Sequence, residues 1–262
     1  MDLGLSGKIA ICAASSKGIG KAIAVNLAKE GAYVTICARG EEALHKTKEE
    51  IRTFGGKVLA VKADVTDYDQ VQNLVKETIK TFGNPQILVN NAGGPPQATF
   101  QEVDIATWRE AVDLNLMSTI YLSREVVPYM IKARWGRIIN MTSVSVKQPI
   151  DNLLLSNTVR SGVIGLTKSL SNELGPYNIT VNSVAPGYTL TKRLRDIAQK
   201  LAEETNRSLE DQLKEMAKDV PLGRVGQPEE IANLVVFLAS EKASYITGTT
   251  IQVDGGLVKS LF

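Results

Sequence analysis

The chain has 262 residues, 44% of them hydrophobic and 22% charged, with a formal net charge of +2. Such a composition is ordinary for a globular domain, and so small a net charge gives no general attraction to nucleic acid or to an anionic membrane. No apolar run reaches the roughly 18 residues of a membrane span, and residues 1–8 lack a basic segment followed by an apolar core, so a cytoplasmic protein is expected.

Strand-like and helix-like stretches alternate from the start. Ile9–Cys12 is a short apolar run that breaks into Ala13, Ala14, Ser15, Ser16, Lys17, Gly18, Ile19 and Gly20. Behind it, Ile19, Ile23 and Leu27 have helical spacing, so the stretch predicts a buried strand, a tight turn and an amphipathic helix. The first N–H groups of such a helix have no internal partners and point at the turn, where the helix dipole adds positive potential. The junction therefore suits a phosphate or diphosphate, with Gly18 and Gly20 allowing close approach.

Tyr33–Ala38 reads as a second strand, 41–54 as a charged helix and 57–61 as a third strand. Asp67 and Gln70 form a capping pattern that opens a helix running to Phe82, and 86–89 is a fourth strand. Residues 108–132 read as one long helix interrupted by Asn115, and 136–143 as a fifth strand ending at Ser143. A sixth strand, 178–184, leads to Pro186 and Gly187, and a polar excursion over about 188–220 reads as a helical lid inserted before the helix opened by Pro228. A last strand and turn lie within 249–256. This βαβ repetition predicts a single α/β domain over 1–262. The expected fold is Rossmann-like: a doubly wound parallel sheet of about seven strands with helices on both faces. Cys12 and Cys37 fall in strands as buried thiols, possible neighbours across the sheet; with His45 alone beside them, no metal-ligand cluster emerges.

The end of the second strand bears on the choice of nucleotide. An acid there would bond a ribose 2′-hydroxyl, whereas an arginine accommodates a 2′-phosphate. The chain has Arg39 after Ala38, no acid until Glu41, and Lys17 in the glycine turn, which together favour NADP(H) over NAD(H).

The glycine turn, Asp64-Val65, Asn90-Asn91-Ala92-Gly93, Asn115, Ser143 and Pro186-Gly187 follow one another in an order that resembles the short-chain dehydrogenase/reductase family over essentially the whole chain. The resemblance implies hydride transfer between NADP(H) and a small-molecule carbonyl or alcohol. It places Ser15, Ser16, Lys17, Gly18, Ile19 and Gly20 around the cofactor, with Arg39 at its phosphate end and Asp64 and Val65 along the adenine. Asn91, Ala92 and Gly93 would support the cofactor backbone, Pro186 and Gly187 would cover the nicotinamide, and Thr189 and Thr191 would lie at its carboxamide. Asn115 would hold a water in a proton relay and Ser143 would bond the substrate carbonyl.

Two departures stand out. Ala13-Ala14 replaces the Thr-Gly that usually opens the family's turn, and alanine resists positive φ. Thirteen residues beyond Ser143, where the family has its tyrosine, stands Ser156, and four further on Arg160 replaces the lysine. The register is fixed by the apolar stripe Val159, Val163, Leu166, Leu170 and Leu174, and no tyrosine lies between Tyr129 and Tyr177. A serine hydroxyl is a far weaker acid than a phenol of pKa about 10, and an arginine can grip ribose hydroxyls but keeps its proton. General acid catalysis supplies ~10²–10⁴ in rate, so its loss matters. The residues leave several outcomes open: another donor (Lys147, Tyr188 or a relayed water), a substrate needing little protonation, non-redox chemistry, or a protein that binds NADPH for a regulatory or structural purpose. The resemblance also implies a homo-oligomer, tetramer or dimer. The basic cluster Lys132, Arg134 and Arg137 is a candidate dock for acyl carrier protein, as in the 3-oxoacyl-[acyl-carrier-protein] reductases of the family.

Overall fold

A computed structural model describes residues 2–261. Its strands are β1 (Ile9–Cys12), β2 (Tyr33–Ala38), β3 (Val58–Lys62), β4 (Ile87–Asn90), β5 (Gly136–Met141), β6 (Ile179–Pro186) and β7 (Thr250–Val253). They pair in parallel in one sheet of order β3-β2-β1-β4-β5-β6-β7. The chain winds outward from β1 to β3, then returns to place β4 on the other side of β1. That reversal opens a crevice at the carboxyl ends of β1 and β4, where open α/β sheets bind their ligands.

The helices are α1 (Gly18–Lys29), α2 (Glu41–Thr53), α3 (Tyr68–Phe82), α4 (Ile105–Val112), α5 (Ser118–Ala133), α6 (Leu154–Leu174), α7 (Lys192–Glu204), α8 (Leu209–Met216) and α9 (Pro228–Leu238). Local signals set several boundaries. The Asp67 carboxylate accepts from the N–H groups of Asp69 and Gln70, a cap worth about 1 kcal/mol to α3. Pro228 occupies the first turn of α9, where Gln227 and Glu230 close a capping box.

Alternation along the strands divides the core. Ala10, Cys12, Val34 and Ile36 face α1, α2 and α9, whereas Ile11, Cys37 and Leu88 face α3, α5 and α6. Each fully buried Leu or Ile in these layers contributes about 1.5–3 kcal/mol. The same alternation puts Cys12 and Cys37 on opposite faces, so the bridge across the sheet that adjacent strands suggested is ruled out. Both thiols are free, and burial pushes Cys37 up to about 11 and Cys12 further still.

Two expectations need correction. The long helix over 108–132 is really α4 and α5 joined by a π-helical turn at Asp113–Met117, which turns Asn115 inward. An extra residue in one turn leaves the apolar periodicity almost unchanged, so the sequence pattern hides it. Arg137 is not part of a basic surface with Lys132 and Arg134. It is wholly buried at the start of β5, donating to the carbonyls of Gly136, Asn178 and Ser240 and lying 3.7 Å from Glu241. The excursion over 188–220 does hold two helices, α7 and α8, separated at Asn206, which takes a φ of +51°. Among the described residues, no helix is long and apolar enough to cross a membrane.

Candidate active site

The turn after β1 is held from inside. Ser15 is fully buried; its Oγ donates to the Cys12 carbonyl at 2.7 Å and accepts from the Cys37 N–H at 3.2 Å. The Ser15 side chain therefore shapes the turn rather than facing a ligand. Ala14 adopts φ +45°, the left-handed conformation that the family's glycine would take without strain. Gly20 allows the tight approach of α1: a Cβ there would fall 2.5 Å from the Ala14 carbonyl oxygen and 2.6 Å from Asn91 Nδ2. Asn91 closes the arrangement by donating to the carbonyls of Ala13 and Ala14. The loops after β1 and β4 are thus laced together at the switch point, leaving the first N–H groups of α1 at the crevice.

Beside this turn, Ser16, Lys17 and Gly18 line an open groove of about 400 Å³ together with Lys21, Lys46 and Thr47. Lys21 and Lys46 are each paired to a glutamate at 2.6 Å, while Lys17 has no carboxylate partner among the described residues. Arg39 is exposed and leans to within 3.9 Å of Asp64, whose other oxygen accepts from Thr66. Val65 is buried beneath them, and Ile19 packs against the core.

A second set of contacts gathers around Gly93. Asn115 Nδ2 donates to the Gly93 carbonyl at 2.9 Å, and Arg160 Nη2 donates to the same oxygen at 3.4 Å. Arg160 Nη1 donates to the carbonyls of Met141 and Thr142, immediately before Ser143. The Arg160 side chain is 7% exposed, and burial together with the charge of Arg193 lowers its pKa to about 10. Asn115 Oδ1 is buried without a hydrogen-bond partner among the described residues.

Ser143 caps a short 3₁₀ turn, Val144–Val146, its Oγ accepting from the Ser145 N–H at 3.2 Å. Ser145 Oγ lies 3.3 Å from Ser156 Oγ, so Ser156 reaches the Ser143 turn through the hydroxyl of Ser145. Ser145 had no sequence signal beyond its nearness to Ser143. Lys147 sits half-buried just past this turn. Tyr188 is a poorer acid than a free phenol, because burial and the nearby Asp219 both raise its pKa.

The start of α7 reaches over both loops. Pro186 ends β6, and Gly187 after it packs against Asp254 so closely that a Cβ would fall 2.7 Å from its Cβ. Thr189 is buried, its hydroxyl donating to the Gly187 carbonyl. Thr191 Oγ1 accepts from the Leu194 N–H and caps α7, while its methyl lies against Gly18. Ala92 lies half-buried in the opposite loop. Arg193, which sequence reasoning missed, donates through Nη1 to Gly94 and through Nη2 to Pro95 at 2.7 Å. The signal available for it was the basic run Lys192-Arg193-Leu194-Arg195 directly after the capping threonine.

Comparison with known proteins agrees with this geometry. The family described as enoyl-(acyl carrier protein) reductase matches residues 13–258. The 3-oxoacyl-[acyl-carrier-protein] reductase FabG of Aquifex aeolicus is 38% identical over 258 residues, covering 98% of this chain and 100% of that protein. L-sorbose reductase from Gluconobacter frateurii, solved with NADPH and L-sorbose, matches with a TM-score of 0.96 at 36% identity over 100% of both chains. YwfH, an NADPH dependent reductase involved in bacilysin biosynthesis, matches with a TM-score of 0.92 at 30% identity, covering 97% of this chain and 99% of that one.

Proposed function

This chain belongs to the short-chain dehydrogenase/reductase family, and on that premise we propose that it is an NADP(H)-dependent oxidoreductase acting on a carbonyl or alcohol. The observation that carries this reading is the convergence of Asn115 and Arg160 on the Gly93 carbonyl, beside Ser143 and at the sheet's switch point. The residues fit a dinucleotide: the Gly20 contact leaves α1 pressed against the turn, and the unpartnered Asn115 Oδ1 offers a seat for water at the opposite end. When bound, NADPH supplies a hydride from its nicotinamide ring. Ser16, Lys17, Gly18 and Arg39 would hold the phosphate end, Asn91 to Gly93 would support the cofactor backbone, and Pro186, Gly187, Thr189 and Thr191 would flank the nicotinamide end.

Ser143 donates a hydrogen bond to the carbonyl oxygen, and the fixed positive charge of Arg160 favours the negative charge that develops there. A donor of this kind contributes about 2.7–4 kcal/mol to the transition state. Arg160 keeps its proton, and the raised pKa of Tyr188 argues against that phenol. Of the donors the sequence offers, Lys147, half-buried just past the Ser143 turn, and a water at Asn115 remain as proton sources. The α7–α8 segment acts as a lid whose first turn lies across the crevice.

Phe100 and Ile105 are exposed, and Ile105 lines an open groove with Trp108 and Val112, which supports assembly into a homo-oligomer. With Arg137 buried, only Lys132 and Arg134 remain of the candidate acyl carrier protein dock, so small ketones rank above carrier-bound thioesters as substrates.

A second reading is an NADPH-binding protein without turnover. It is favoured by the hydrogen bonds from Arg160 to three main-chain carbonyls and by the absence of a phenol at position 156. The test is a fluorescence titration with NADPH, followed by NADPH consumption with a panel of ketones, for the wild type and Ser156→Tyr/Arg160→Lys. Wild-type turnover supports the reductase; binding with turnover only in the double variant supports the second reading.

A further inference from the structure

Two guanidinium groups stand on the loop after β4 with no carboxylate among the described residues to balance them. Arg160 reaches the site from α6 and donates to the Gly93 carbonyl, while Arg193 reaches it from α7 and donates to the carbonyls of Gly94 and Pro95. Successive Cα atoms lie about 3.8 Å apart, so the two cations stand on neighbouring peptide groups of one loop. Among the described residues, neither has an Asp or Glu within ion-pair distance, although Arg160 is more than nine-tenths buried. A buried charge without an opposite charge is costly, and a like charge nearby adds to the cost. The first turn of α7 compounds it, since Lys192, Arg193 and Arg195 stand at the positive end of the helix dipole with no acid in that turn.

We propose that Arg160 and Arg193 form an oxyanion subsite that takes the carboxylate of an oxoacid, so that the preferred substrates are carbonyl compounds bearing a carboxylate. This rests on the reductase reading for the reaction at the carbonyl carbon. A carboxylate matches the planar donor forks of two arginines, and it supplies the negative charge that the site lacks. Arg160 also contacts Met141 and Thr142, which lead into Ser143, so the carboxylate would lie near the carbonyl under reduction. Arg193 stands on the lid, so an arriving carboxylate would replace its carbonyl partners and hold α7 over the site.

The experiment uses the full chain loaded with NADP⁺ and three acids of increasing separation between carbonyl and carboxylate: pyruvate, acetoacetate and 4-oxopentanoate. Each is titrated calorimetrically against its methyl ester, in the wild type, Arg193→Gln and Arg193→Lys. At least one acid is expected to bind about tenfold or more tighter than its ester. Arg193→Gln should abolish that preference while leaving the NADPH dissociation constant unchanged, and Arg193→Lys should restore part of it. Equal affinity for acids and esters overturns the proposal, as does an Arg193→Gln variant that loses NADPH as strongly as it loses the acid, which would assign Arg193 to the cofactor diphosphate. A protein that binds no NADPH yet still selects acids over esters would overturn the reductase reading and leave the oxyanion subsite standing.

Discussion

A buried arginine stands at each end of strand β5, Arg137 from the strand itself and Arg160 from α6, and the two are treated differently. At its amino end, Arg137 lies 4.3 Å from the Trp135 ring and 3.7 Å from Glu241, which also accepts from Trp135 Nε1 and pairs with Lys8. At its carboxyl end, Arg160 donates to the last carbonyls of the strand and faces a second cation, Arg193. The first end is balanced by a carboxylate. The second is electrostatically incomplete and opens on the switch point. Natural proteins retain such local imbalance where a ligand completes it, at a cost in stability.

The contrast is broken most severely at the open end. Ser143→Ala should lower kcat/KM by about 10²–10³-fold, the range for removing one donor to a developing oxyanion, with the unfolding midpoint in urea almost unmoved. An unchanged rate would remove Ser143 from the chemistry. At the closed end, Arg137→Met should cost about 3 kcal/mol of stability by urea denaturation, because it strips a buried cation from Glu241 and from three carbonyls. The NADPH affinity of that variant should match the wild type.

Gly20→Ala sharpens the comparison from the cofactor half. Its methyl must displace the Ala14 carbonyl or the Asn91 amide, so about 1–3 kcal/mol of stability should be lost together with NADPH affinity. The smallest effect is expected for Ser156→Ala, which removes one long hydroxyl contact worth about 1 kcal/mol or less. Its turnover should remain near that of the wild type. A loss as deep as that of Ser143→Ala would identify Ser156 as the proton donor instead.

Much of the fold is legible in the sequence because it depends on local patterns. The limits of β2 follow from an apolar run, the start of α3 from Asp67 and Gln70, and the start of α9 from Pro228. The glycine turn, Asn91 and Asn115 are legible through their order along the chain. Less visible is whatever depends on distant contacts. Ser15 resembles a ligand-facing hydroxyl until β2 is placed beside it and its side chain turns out to bridge Cys12 and Cys37. Arg137 counts as a surface charge until Trp135 and Glu241 are brought around it. Arg193 belongs to a polar helix with no family motif, and only the folding of α7 across the crevice sets it on Gly94 and Pro95. The π-helical turn escapes notice because one added residue barely disturbs the apolar spacing on either side.

The most direct measurement is of Arg160→Met, examined by urea unfolding and by NADPH-dependent turnover beside Arg137→Met. Arg160→Met strips donors from three main-chain carbonyls, as Arg137→Met does, but it leaves no carboxylate without its cation and relieves the repulsion from Arg193. The expected result is a smaller loss of stability than that of Arg137→Met, combined with a collapse of turnover. If Arg160→Met instead unfolds as readily as Arg137→Met and the remaining folded protein turns over normally, Arg160 is a structural residue and the carboxyl end of β5 is not the reacting centre.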